Sequence, residues 1–179
     1  MDMSIGMAIW FAARGQGYMV PTDTTDLDNP IPYKAQARVL LLGMGADEQL
    51  GGYSRHRAAW DRGTGDRNCW DELGAEIRLD VERIASRNLG RDDRIVSDNA
   101  RESRYPFLDS SVVNYLSSLP LCWKMDMRYP RGVGEKLLLR LLARKLGLNN
   151  ACKLPKRAIQ FGARTAKMET SHSKGQESL

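Results

Sequence analysis

From Ile5 to Ala13 the apolar residues Ile5, Ala8, Ile9 and Ala12 recur at three- and four-residue steps, which predicts a helix ending at Arg14-Gly15. The period then disappears. Gln16 to Gln36 carries Pro21, Pro30, Pro32 and the polar run Thr22-Asp23-Thr24-Thr25-Asp26, and so reads as one long loop. Arg38 to Leu42 is a short run of aliphatic residues, the pattern of a strand buried on both faces. It stops at Gly43-Met44-Gly45-Ala46-Asp47-Glu48, after which Glu48 to Arg57 is expected to be helical. Trp70, Leu73, Ile77, Val81 and Ile84 then repeat with charges between them, predicting an amphipathic helix over Asn68–Leu89 with a stop at Gly90. Two further helices follow. One spans Ser110–Leu119, with Ser110 as its cap and Pro120 as its end; the other is leucine-rich, spans Glu135–Leu146 and closes at Gly147.

One strand among four or five helices implies an α/β domain that is mostly helical in this chain. A parallel sheet needs more than one strand, so further strands are expected outside these residues, or else the core is incomplete. From Thr165 onward the chain turns polar. Residues 1–165 read as the C-terminal part of one domain and 166–179 as a flexible polar tail.

Composition narrows the classes. A chain of 179 residues with 42% hydrophobic and 27% charged residues has ordinary globular proportions and room for a real core. The longest purely aliphatic stretch, Val39-Leu40-Leu41-Leu42, is far short of the roughly 18–20 residues that span a bilayer. Met1-Asp2 opens no basic region followed by a small-residue cleavage site, so no secretory signal is expected. Cys69, Cys122 and Cys152 are odd in number and far apart, which argues against a disulfide framework and for the reducing cytoplasm. The net charge of +5 raises the question of nucleic acid. Yet the basic residues are dispersed, and neither zinc-finger spacing nor an aromatic RNA-recognition motif occurs, so no nucleic-acid partner is expected.

The chemistry concentrates in Val39 to Tyr53, where an aliphatic strand feeds Gly43-Met44-Gly45, then Asp47-Glu48 and Gly51-Gly52-Tyr53. In α/β folds ligands gather beyond the carboxyl ends of strands, and glycines let the backbone amides come close to them. A tight turn with helix-start acids would look the same. Asp47 and Glu48 repel phosphate directly but suit Mg²⁺ bridging to a nucleotide or pyrophosphate. Cations to face the phosphates occur in three blocks: Glu102 to Asp109 around Arg104, Gly132 to Lys136, and Leu154 to Gly162 with Lys156-Arg157. Each block alone also reads as an ion pair or a solvated loop.

Taken together and in order, these blocks resemble the synthetase domain of the glutamine-dependent asparagine synthetases. The family's strand–Ser-Gly-Glu-Gly-Ala/Ser-Asp-Glu-x-x-Gly-Gly-Tyr signature is similar to Leu42–Tyr53. Its Asp-Arg block and Glu-x-Arg-x-Pro-Phe-Leu-Asp match Asp93-Arg94 and Glu102–Asp109, and its Leu-Pro block before a leucine-rich helix resembles Leu119–Leu142. The resemblance implies an adenine-nucleotide α-hydrolase-like (Rossmann-like) fold. It also implies an ATP- and Mg²⁺-dependent adenylation of aspartate, followed by displacement of AMP by ammonia from a glutaminase domain. By position it puts Leu42, Gly43 and Gly45 against ATP, Asp47 and Glu48 at Mg²⁺ and pyrophosphate, Arg104 in a bracing role, and Lys156 or Arg157 opposite the phosphates.

Three departures accompany it. The family's phosphate loop, Ser-Gly-Gly-x-Asp-Ser, occurs nowhere in these residues and is expected upstream of Met1. No N-terminal cysteine nucleophile of a glutaminase is present, Met1 being followed by Asp2. Met44 stands where the family has an acid, and a thioether neither accepts a proton nor binds a hard cation. The functional expectation is therefore the distal part of an ATP-dependent carbon–nitrogen ligase, inactive alone and dependent on a missing N-terminal half. The alternative is a non-catalytic nucleotide-binding or protein-interaction module.

Overall fold

The computed structural model describes residues 3–20, 30–63 and 68–165. In chain order the elements are α1 (Met3–Arg14), β1 (Gln16–Met19), β2 (Ile31–Lys34), β3 (Val39–Leu41), α2 (Ala46–Leu50), α3 (Ser54–Arg62), α4 (Cys69–Ile84), α5 (Gly90–Asp98), β4 (Glu102–Arg104), α6 (Ser110–Ser118), α7 (Leu121–Lys124), α8 (Leu137–Lys145) and α9 (Ile159–Gly162). A mostly helical arrangement with small sheets is compatible with the α/β class expected from sequence. The tail expected at 166–179 lies outside the described residues. Two compact units divide the remainder. One takes the described parts of Met1–Leu41, Gly90–Arg104 and Arg157–Leu179; the other takes those of Leu42–Leu89 and Tyr105–Lys156.

In the first unit α1 forms where the periodicity predicts and packs on α5, burying Ile9, Ala13 and Val96 completely. Gly6 permits this approach, since a β-carbon there would lie 3.3 Å from Cδ1 of Ile95. Thr165, where the chain turns polar, is itself buried and donates its hydroxyl to the Ser4 carbonyl at 2.9 Å. The long loop expected over Gln16–Gln36 is in part an antiparallel pair, β1 with β2, in register Gln16↔Lys34 to Met19↔Ile31. All eight residues of the pair are exposed, so no alternation marks them in sequence. Pro32, which argues against a strand, is tolerated in a two-stranded ribbon. β3 and β4 pair in parallel, Val39↔Glu102 to Leu41↔Arg104. The expectation that β3 is buried on both faces fails: Val39 is 42% and Leu41 70% exposed. Helices normally cover both faces of a parallel sheet, and the exposure of Val39 and Leu41 shows that this face of β3 is left uncovered among the described residues.

In the second unit the single helix expected over Glu48–Arg57 is two helices. Gly51 takes φ +72°, the left-handed region, and ends α2, and α3 begins after Tyr53. α4 matches the amphipathic pattern, capped by Asn68, whose Oδ1 accepts the Trp70 amide at 2.9 Å, and it continues through a π turn over Ala85–Leu89. Gly90 does not stop the helix; it opens α5. Leu73 and Ile77 of α4 meet Met125 and Met127 in the core, with Trp60, Trp70 and Leu121 packed around them and the two indoles edge to face at 4.6 Å. Asp109, not Ser110, caps α6, its carboxylate accepting the Ser111 amide at 2.9 Å. α8 starts at Leu137, later than the expected Glu135, because Lys136 adopts φ +54°. Gly147 follows it at φ +81°, as its C-terminal position suggests. No described helix is long and apolar enough to cross a membrane.

Candidate functional site

The turn from Leu42 into α2 is built from its glycines and from Glu48. Gly45 has φ +94°, and a β-carbon on it would fall 2.4 Å from Leu108, so Gly45 serves conformation and packing. Gly43 is different: it is exposed and a β-carbon there would meet nothing within 4 Å. Only Gly43 of the expected pair leaves open space for a ligand to approach. Leu42 beside it is half-buried.

Glu48, expected at a metal, is buried and engaged within the protein. It accepts the Gly45 amide at 3.1 Å, the Tyr53 hydroxyl at 2.5 Å and the Asn88 amide group at 2.7 Å. Burial first, and then this bond to the carboxylate, push the Tyr53 phenol far above its ordinary range, so it stays protonated and donates. Glu48 thereby ties the start of α2, the approach to α3 and the turn after α4 to one carboxylate.

Asp47, the next residue back, points elsewhere. Its Oδ1 receives Lys136 Nζ at 2.8 Å and its Oδ2 lies 3.6 Å from Lys156 Nζ, with all three side chains about one-fifth exposed. Gly52 makes room for this carboxylate, since a β-carbon there would lie 1.9 Å from Oδ1. Lys136 holds α2 at both ends, its amide donating to the Leu50 carbonyl at 2.9 Å while its ammonium meets Asp47. Its left-handed backbone costs on the order of 1 kcal/mol and is held by the loop around it. Glu135 accepts the Gly132 amide at 2.8 Å and Arg57 Nη2 at 2.7 Å, and Arg57 also donates to the carbonyls of Met127 and Tyr129. Burial opposes ionisation of Glu135, but these donors outweigh it and hold the carboxyl below its usual range. Arg140 donates to the carbonyls of Cys152 and Leu154 at 2.8 and 3.0 Å, which fixes the segment leading into Lys156. Lys156 Nζ also stands 4.9 Å from the centre of the Tyr53 ring, on which the Arg55 guanidinium lies at 4.0 Å.

Of the residues expected from sequence, the structure thus brings Asp47 and Lys156 together. Arg104 lies on β4 in the first unit, exposed, with its Nε bonded to Glu102. Arg157 also belongs to the first unit. Sequence reasoning counted Lys136 only among several candidate cations and gave no role to Tyr53, Asn88, His56 or Asp80. The Lys136–Asp47 pair joins residues 89 positions apart, a separation that no local pattern encodes.

The donor set decides what ion could be held. Among the described residues no group of three or more His, Cys, Asp or Glu is placed to hold a metal. Glu48 is buried with three donors already, which leaves Asp47, shared with Lys136 and Lys156, as the solvent-accessible carboxylate of the two. One carboxylate fits Mg²⁺, which keeps waters and shares substrate phosphate oxygens, and does not fit an all-protein Ca²⁺ or Zn²⁺ cage. Two ammonium groups converging on Asp47 give the cluster a local surplus of positive charge suited to an anion.

Residues 65–172 match the family model described as asparagine synthase. The chain is 53% identical over 175 residues to Asparagine synthetase domain-containing protein 1 of Gallus gallus, covering 97% of this chain and 26% of that protein. It is 49% identical to the Homo sapiens protein of the same name over 99% of this chain and 26% of that protein. Half of it is 42% identical to a putative glutamine-hydrolyzing asparagine synthetase of Methanocaldococcus jannaschii, of which it covers 16%. It spans about a quarter of the length of the two vertebrate relatives. With the family match running over more than half of its residues, the chain belongs to the asparagine synthase family.

Proposed function

We propose that this chain is the distal part of an adenine-nucleotide α-hydrolase-like (Rossmann-like) synthetase domain, and that its Asp47–Lys136–Lys156 cluster receives the phosphates of MgATP. The observation that carries this reading is the convergence of two lysines on a partly exposed carboxylate beside the open Gly43 turn, in a chain of this family. Asp47 is the residue to hold Mg²⁺, whose charge offsets that of the phosphates. Lys136 and Lys156 are the donors to phosphate oxygens, and Gly43 and Leu42 are the surface offered to the nucleotide. Glu48 acts one step back, shaping the turn. Arg104 is assigned a bracing role by family resemblance. Aspartate adenylation and amide formation are the family reaction; these 179 residues, which contain no Ser-Gly-Gly-x-Asp-Ser loop, are not expected to complete it unaided.

Isothermal titration of ATP with and without Mg²⁺ tests this reading. We expect Mg²⁺-dependent binding that is lost in Asp47→Ala. Gly43→Val should weaken it without lowering the unfolding midpoint, because its side chain enters open space. No binding by the folded chain would refute the proposal. A second reading, a non-catalytic module, draws support from Met44, a thioether where the family has an acid. Ammonia-dependent formation of asparagine and AMP above a boiled control would overturn both that reading and the expected lack of turnover.

A further inference from the structure

Behind the cluster lies a buried group with no part in the assignments above. His56 on α3 is completely inaccessible to solvent. Its Nδ1 lies 3.3 Å from the backbone nitrogen of Tyr53, and a backbone N–H can only donate, so Nδ1 carries the lone pair. Its Nε2 lies 2.8 Å from Asp80 Oδ2 and is therefore the protonated nitrogen, donating to that carboxylate. The Asp80 carboxylate is held in turn by Arg55 at 2.9 and 2.5 Å and by Arg83 at 3.0 Å. The charged groups around the ring are thus Asp80, Glu76 and Arg83 on α4 and Arg55 on α3, with the Tyr53 phenol ahead of it.

The residue pinned by Nδ1 is the one that Lys156 stands over and that reaches Glu48 through its hydroxyl. We propose that His56 is a positioning residue for the Asp47–Lys136–Lys156 cluster, holding the Tyr53 amide as a neutral Nε2–H imidazole, and that a proton gained at Nδ1 releases Tyr53 and with it Lys156. A protonated Nδ1 would face the Tyr53 N–H donor to donor. Burial lowers the tendency of the ring to charge, against the pull of Asp80, so the neutral form persists until the solution is acidic. Only as a control on ligand binding does this inference rest on the proposed phosphate site; its structural half stands separately.

The full chain has two histidines, so a His172→Gln background isolates His56 in long-range ¹H–¹⁵N spectra. At neutral pH we expect an unprotonated Nδ1 and a protonated Nε2. On acidification the Tyr53 amide and the Lys156 side-chain signals should move together with the ring. A protonated Nδ1 at neutral pH, or a ring that titrates without moving Tyr53, overturns the proposal. MgATP titrations from pH 7.5 down to pH 5 then test the link. Release of the platform in nine-tenths of molecules weakens apparent affinity about tenfold. His56→Asn, whose amide oxygen replaces the Nδ1 acceptor, should keep the neutral-pH affinity and lose this extra pH dependence. Titration of the ATP phosphate is common to both chains and cancels in the comparison. An unchanged pH profile in His56→Asn refutes the link. If wild type binds no ATP at any pH, the phosphate-site reading fails while the spectra still decide the role of His56.

Discussion

At the scale of single residues, neighbouring side chains of one type carry different tasks, and the difference comes from what the fold places opposite them. Asp47 and Glu48 are adjacent acids, yet one meets two lysines near the surface, while the other is itself buried and meets three uncharged donors. Gly52 sets the first arrangement. An alanine β-carbon at that position would overlap Asp47 Oδ1 and lie 2.9 Å from the Asp47 α-carbon, so the backbone itself must shift. We expect Gly52→Ala to cost roughly 2 kcal/mol of unfolding free energy and to break the Asp47–Lys136 pair, whereas Gly43→Ala should lie within about 0.5 kcal/mol of wild type; urea denaturation measures both. His56 adds a pH dependence whose sign follows from its burial. Because its folded-state pKa is lowered, the unfolded chain binds the extra proton first. Its contribution to stability is complete above the unfolded value near 6.5 and is lost as pH falls below that toward and through the folded value. Asp80 has the same sign at lower pH: burial resists its charge, but Arg55 and His56 hold its pKa down, so its contribution falls away in acid. The urea midpoint should therefore decline between pH 7 and pH 5 in wild type and much less in His56→Asn. The residue types at Asp47 and Lys156 were readable as charged chemistry in the sequence. Their partners were not, because Glu48 finds Asn88 forty positions away and His56 finds Asp80 twenty-four away.

At the scale of elements, periodicity located α1, α4, α6 and α8, missed α5, and did not say which faces are buried. α4 is the favourable case: Leu73 and Ile77, two of the residues that define its repeat, are the ones in the core. α8 repeats leucine as convincingly, yet none of its nine residues is buried and Leu141 is 54% exposed. Paired substitutions turn this contrast into a prediction. Leu73→Ala should lower unfolding free energy by about 2–5 kcal/mol, while Leu141→Ala should change it by less than about 0.5 kcal/mol, both read from chemical denaturation of the 179-residue chain. Boundaries were legible where a local cap decides them, as at Gly147, and illegible where tertiary contacts do. Lys136 starts α8 from a left-handed conformation that only its bonds to Leu50 and Asp47 explain, and the β1–β2 pair has exposed residues on every position and a proline within it.

At the scale of the whole molecule, several of the described basic side chains are engaged within the protein. Arg57 is held by Glu135, Arg91 by Asp92, Arg128 by Asp126 and Arg55 by Asp80, while Arg101 and Arg140 donate to backbone carbonyls. Lys136 and Lys156 share Asp47. A polyanion gains from a basic protein by releasing counterions wherever a free Lys or Arg replaces them, and each such contact steepens the fall of affinity with salt. Cations already paired with carboxylates offer few replacements. On this argument we expect only weak binding of DNA or RNA despite the net charge of +5. Fluorescence anisotropy with labelled duplex and single-stranded oligonucleotides at 50 and 200 mM salt should show no saturable binding at micromolar protein. A protein with six to ten phosphate contacts would instead lose about 10³–10⁵ in affinity over that range. Tight binding with such a slope would place the surplus charge on a continuous face, against the pairing described, and would move the functional assignment from nucleotide phosphates to nucleic acid.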